Sequence, residues 1–149
     1  MGETTNPHWS RPLAAERFLA KDYIPQALTH GTLENEDIES SESFYREVLG
    51  LEVVKLRPNS CYVKHPATPW YVVCLQALKR TRQHLSCYQR FTLAVESAGV
   101  VHAAYRSLEA NRAAWKIKDL EQVAAIAGEA SLLFSDLNGN WWEITSAQT

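Results

Sequence analysis

The chain is expected to fold as an α+β domain made of two strand-helix-three-strand (βαβββ) modules, with curved sheets around a cavity and the helices outside. Three observations predict this. The runs "ALTHGTLEN", "SSESFYREVLG", "LEVVKLR", "CYVKH" and "WYVVCLQ" read as strand, helix, strand, strand, strand in chain order. The second half repeats that order, and a shift of sixty positions matches Thr32 with Thr92, Leu33 with Leu93, Tyr45 with Tyr105 and Arg46 with Arg106. A repeat on this scale is a property of a fold rather than of composition. Near the end, "FSDLNGNWWEITS" sets Asn-Gly between two strand-like runs, a strong hairpin signal because both turn residues must accept positive φ. Each module has one helix face to bury, so two modules make one layered domain.

Residues 1–26 read as an arm, in which Ser10 caps a short helix with Pro12 in its first turn and Pro25 ends the segment. The domain proper spans 27–149, with module one at about 27–78 and module two at about 86–147. In module one, Ser40 or Ser41 is the expected N-cap and Gly50 the C′ stop, with Phe44 and Val48 on one helix face. Pro58-Asn59 and the stretch from Pro66 to Pro69 separate the strands that follow. In module two, "YQRFTLAVES" reads as a strand. "AGVVHAAYRSLEAN" reads as a helix capped by Ser97, with Val101, Tyr105 and Leu108 inward. "AAWKIK" is expected to be a strand, 119–127 a helical or loop insert, and "ASLLFSD" with "WWEITS" the closing hairpin. Alternation puts Trp141, Glu143 and Thr145 on one face and Trp142 and Ile144 on the other.

Composition narrows the function classes. A net charge of −2 gives no electrostatic case for nucleic acid or an anionic membrane. The basic run "KRTR" at 79–82 reads as a solvated linker. Cys61, Cys74 and Cys87 are an odd number without a Cys-x-x-Cys pair, which argues against a disulfide framework or a structural zinc site and fits a reducing cytoplasm. The N-terminus lacks the apolar region of a secretory signal, and no apolar run is long enough to span a membrane.

Two stretches carry a resemblance. "LTHGTLENEDIESSESFYREVLGLEVV" resembles the opening module of the vicinal oxygen chelate superfamily, where a strand carrying His leads into a helix reading "FY..VLG". "FSDLNGNWWEI" resembles its closing hairpin. The superfamily includes glyoxalase I, fosfomycin- and bleomycin-resistance proteins, methylmalonyl-CoA epimerase and extradiol dioxygenases. The likeness covers about residues 27–147. It implies a divalent metal (Fe, Mn, Zn, Ni or Co) at His30 and Glu143, no organic cofactor, a small-molecule substrate and a homodimer. Strand parity agrees, since His30, Thr32 and Glu34 share a face.

The second histidine ligand implied by the resemblance falls sixty residues after His30, where the chain has Arg90. A guanidinium presents donors only and stays cationic, so it repels a metal and pairs with a carboxylate instead. His84 lies six residues before Arg90, roughly 20 Å along an extended strand. His65 falls on the third strand and His102 on a helix facing away. The fourth ligand position falls on Val72 or Cys74, depending on whether Trp70 is matched with Trp141.

Two readings follow from these residues. In one, a glyoxalase- or dioxygenase-type enzyme grips vicinal oxygens through a metal at His30 and Glu143, with Arg90 and Glu143 as the catalytic candidates. In the other, a metal-free protein of the bleomycin-resistance kind binds its ligand with Arg90 and Glu143 lining the cavity. Thr32, Tyr62, Cys74, Thr92 and Trp141 are the expected pocket residues in either case.

Overall fold

The computed structural model describes residues 27–77 and 85–147. The N-terminal arm, the basic run at 79–82 and His84 lie outside them. Module one comprises β1 (His30–Asn35), α1 (Ile38–Ser43, continued by a π-helical turn at Phe44–Val48), β2 (Glu52–Arg57), β3 (Ser60–Lys64) and β4 (Tyr71–Gln76). Module two comprises β5 (Arg90–Ala94), α2 (Ala98–Ala110), β6 (Ala124–Ile126), β7 (Glu129–Ser135) and β8 (Trp141–Thr145). Each forms a mixed four-stranded sheet, in the orders β1-β4-β3-β2 and β5-β8-β7-β6. The two sheets have the same topology, as the internal repeat predicts, and they do not close into a barrel. α1 packs on β3 and β4, and α2 on β7 and β8, so each helix covers one face of its own sheet.

The parallel pairs set the correspondence between modules. His30 lies opposite Tyr71 and Thr32 opposite Val73, while Arg90 lies opposite Trp141 and Thr92 opposite Glu143. His30 is therefore the repeat partner of Arg90, Tyr71 of Trp141 and Val73 of Glu143. The expectation of Val72 or Cys74 at the Glu143-equivalent position is off by one residue. Trp70 precedes β4, so it cannot be the anchor for the match. Parity carries the consequence: Val72 and Cys74 are buried with Cys61 and Val63 in the core cluster, while Tyr71 and Val73 alternate to the other face.

Local chemistry moves several boundaries. α1 starts earlier than expected, because Asp37 rather than Ser40 or Ser41 is the N-cap and its carboxylate accepts from the Ser40 amide at 3.1 Å. The Ser40 hydroxyl, which donates to the same oxygen, and then the amide hold the Asp37 carboxyl below the ordinary aspartate value. The π-helical turn, closed by the Leu49 amide on the Phe44 carbonyl at 3.2 Å, lets two successive rings, Phe44 and Tyr45, both turn inward. Gly50 ends the helix at φ +67, the left-handed stop the sequence predicts. Ser97 caps α2 as expected.

Two expectations are corrected. Residues 113–118 are not a strand: the chain makes tight turns to 116, Lys116 adopts φ +55, and Ile117 drops into the core. The strand falls instead at Ala124–Ile126, inside the supposed insert, where it pairs antiparallel with β7. The closing hairpin is also not a two-residue Asn-Gly turn. Residues 137–139 form a three-residue loop between the paired Asp136 and Asn140, and only Gly139 takes positive φ, at +82.

One core spans both modules, with the rings of Tyr45 and Trp142 5.6 Å apart and those of Phe91 and Trp142 5.7 Å apart. A buried polar network crosses the same boundary. One oxygen of Asp136 accepts from the amides of Asn138 and Asn140 at 2.8 and 3.0 Å; the other accepts from the Tyr45 hydroxyl at 3.2 Å and the Trp142 indole at 2.9 Å. Asn138 accepts from the Glu36 amide and donates to Ser41, and Asn140 donates to the Glu34 carbonyl. The two stretches that carry the family resemblance are thus joined to each other inside the molecule.

Candidate functional site

β5 and β8 build the site. Thr92 and Glu143 are direct register partners, and Arg90 lies two residues before Thr92 on the same face. Ser131 enters from β7, diagonal to Glu143, whose direct partner there is Leu133. The Arg90 Nε donates to Glu143 Oε2 at 2.5 Å, Thr92 Oγ1 to the same oxygen at 3.2 Å, and Ser131 Oγ to Oε1 at 2.7 Å. Burial raises the Glu143 pKa, but the hydrogen bonds from Ser131 and Arg90, the Arg90 charge and the Thr92 bond outweigh it, and the carboxyl titrates below its ordinary value. Arg90 is steadied from behind by the Cys87 carbonyl at 3.1 Å, and Trp141 by the Leu85 carbonyl at 2.9 Å from its indole nitrogen.

His30 has different neighbours. It is exposed at the start of β1, its Nδ1 is 2.9 Å from Thr29 Oγ1, and its ring stacks on Tyr71 with centroids 5.1 Å apart. Tyr62 joins the stack through Tyr71, at 5.0 Å. Of the expected pocket residues, Thr92 touches Glu143, Thr32 is exposed on β1, Tyr62 is half-buried and Trp141 is buried beside the pair. Cys74 is fully buried in the helix-side core with Cys61. His65 bonds its own loop at the Ala67 amide, and His102 is exposed on α2.

The donor set does not fit a divalent metal. Both carboxylate oxygens of Glu143 are already acceptors for three donors, and one donor is a permanent cation. A metal on Glu143 would have to displace that guanidinium or sit within a few ångströms of it, at a cost of several kcal/mol. Val73, at the repeat-equivalent position, offers no ligand atom. Among the described residues, no group of three His, Cys, Asp or Glu side chains is placed to hold a metal ion.

Sequence reasoning missed Ser131, Leu85 and Cys87. Ser131 was legible in principle, since the hairpin places β7 beside β8, but a corrected turn length was needed to put it next to Glu143. The two carbonyls carry no side-chain signal.

No protein-family model and no curated protein sequence matches the chain. Solved structures do match. A lactoylglutathione lyase from Agrobacterium tumefaciens is 23% identical over 81% of this chain and 93% of its own, at a TM-score of 0.57. The fosfomycin resistance protein FosX from Mesorhizobium loti is 13% identical over 84% and 95%, at a TM-score of 0.62. The chain has the vicinal oxygen chelate fold. A further protein with this fold, FosX from Listeria monocytogenes in complex with Mn(II) and sulfate, is 12% identical over 84% of this chain and 93% of its own, at a TM-score of 0.62. An integron cassette protein from the Halifax Harbour sewage-outfall metagenome is 20% identical over 83% of this chain and 100% of its own, at a TM-score of 0.60. Among the described residues, no helix is long and apolar enough to cross a membrane.

Proposed function

We propose that this chain is a metal-independent small-molecule binder of the vicinal oxygen chelate fold, with the Arg90–Glu143 pair as the polar anchor of its ligand site. One observation carries this reading: the guanidinium that replaces the second histidine ligand engages Glu143 at 2.5 Å, while Thr92 and Ser131 complete the carboxylate's partners. The pair presents a fixed cation with 30% of the Arg90 side chain exposed, and 14% of Glu143. A ligand carboxylate, phosphate or enolate-like oxygen is the natural partner for that cation. Trp141, Thr92, Tyr62 and Thr32 supply the expected walls. The enzyme reading needs a metal that these donors disfavour. FosX from Listeria monocytogenes is described in complex with Mn(II), which makes that ion the first to test here. Free Cys61, Cys74 and Cys87 support a reducing, cytoplasmic setting. A homodimer is the assembly that the resemblance implies.

The test is Mn(II) titration followed by electron paramagnetic resonance, with Fe(II), Co(II), Ni(II) and Zn(II) measured by elemental analysis after reconstitution. Wild-type protein is expected to bind none of them stoichiometrically, whereas R90H is expected to gain measurable Mn(II) affinity. Tight one-to-one binding by the wild type would overturn the reading.

A further inference from the structure

We propose that the seam between the two modules holds a second binding site, for a small apolar carboxylate. The site does not depend on the Arg90–Glu143 reading, although Thr92, which bonds Glu143, also lines this cleft. A cleft of about 70 Å³ lies where the end of β3, the loop into β4 and the middle of β5 meet. Its walls are Trp70, Val72, Phe91 and Trp142, with Lys64 and His65 among its polar lining residues. The rings form a continuous wall, with Trp70 and Phe91 centroids 6.0 Å apart and Phe91 and Trp142 5.7 Å apart. The modules meet closely here, since a methyl group on Gly31 of β1 would touch Phe91 at 3.6 Å.

Among the described residues, Lys64 is the one charged side chain that lines the cleft, and its partner Glu52 lies outside the lining. No Asp or Glu is among the residues lining it. The Lys64 ammonium is only loosely held, 3.6 Å from Glu52, in a pair with side chains 41% and 53% exposed. His65 accepts the Ala67 amide on Nδ1 at 3.1 Å, so the neutral ring carries its proton on Nε2 and offers a donor there. An ammonium and an imidazole N–H beside an aromatic slot are a complement to one carboxylate attached to an apolar body. The volume sets the size of that body. At about 30 Å³ per water-sized group, the cleft takes roughly two or three methyl-sized units, which is an isopropyl group or the leading edge of a phenyl ring.

The experiment uses the full chain, titrated with isobutyrate and benzoate and, as uncharged controls, isobutyramide and benzamide, and follows the tryptophan indole signals by NMR. Saturable binding of at least one acid is expected, with its amide weaker by about tenfold. K64E, a change at an exposed side chain that does not threaten the fold, is expected to weaken the acid by about tenfold and leave the amide unchanged. V72M, which fills the slot without removing the rim charge, is expected to weaken acid and amide alike. R90Q, which removes the carboxylate anchor of the first site, is expected to leave the K64E-sensitive shifts of the Trp70 and Trp142 indoles in place. The proposal is overturned if neither acid saturates, if acid and amide bind equally, if K64E has no effect, or if R90Q rather than K64E abolishes the acid.

Discussion

Glu143 and Asp136 are both buried or half-buried carboxylates, and their partners give them opposite work. Glu143 faces a cation and two hydroxyls that hold its pKa below the ordinary 4.5. The folded state therefore binds fewer protons than the unfolded chain between the two values. The stability this contributes is complete above about pH 4.5 and is lost as pH falls through the lower folded value. Removing the cation with R90Q should raise the Glu143 titration midpoint, read by NMR on its carboxyl carbon, and should flatten the acid limb of a urea-stability profile. Asp136 faces four donors and no cation; burial pushes its pKa up while those hydrogen bonds pull it down. The same burial, with the Asp136 charge, lifts the Tyr45 hydroxyl well above its usual range. D136A should cost about 3–5 kcal/mol in urea unfolding, because it strands two side-chain donors and two amides. D136N should not rescue it, since the new amide nitrogen would face the Tyr45 or Trp142 donor.

At the scale of elements, capping chemistry is local and was legible where the competing residues were few. Ser97 is the one strong cap before α2, and S97A should cost about 1 kcal/mol, measured as a shift in urea midpoint at constant slope. Ahead of α1, several residues compete, and Asp37 wins over Ser40 and Ser41 because a charged acceptor makes a stronger bond to the first-turn amides. D37A should then cost about as much as S97A, while S41A removes a hydroxyl that bonds Asn138 and the Asp37 carbonyl. The run at 113–118 failed as a strand for a physical reason. Its alternation of Trp115 and Ile117 with polar residues is satisfied equally by turns that drop both side chains toward the core, and only the packing against β7 distinguishes the two. The loop at 137–139 failed similarly, because Asp136 can hold the turn with its side chain and leave Asn138 at negative φ.

For the whole molecule, the two motifs that carry the resemblance are a docking device between modules. Tyr45 and Ser41 from α1 meet Asp136, Asn138 and Trp142 from the closing hairpin, and Glu34 and Glu36 lend backbone groups. Such a network, buried at Tyr45, Asp136, Asn138 and Trp142, ties one module's helix to the other module's turn. N138A removes the acceptor for the Glu36 amide and the donor to Ser41. It should raise hydrogen exchange in β1 and α1 of module one more than in α2, although the substitution lies in module two. Uniform acceleration across both modules would show that the network stabilises the fold without coupling them.

The family resemblance marked Arg90 as standing where a histidine ligand is implied, and residue order alone yielded the repeat, the strand-helix-three-strand plan and the shared face of Trp141, Glu143 and Thr145. These are period and spacing effects, which short stretches of chain express by themselves. The register of β4 against β1, the fate of Cys74, the strand at 124–126 and the engagement of Glu143 by three donors were decided only in three dimensions. A one-residue slip exchanges the faces of a strand, and which slip wins depends on the burial of partners from distant parts of the chain.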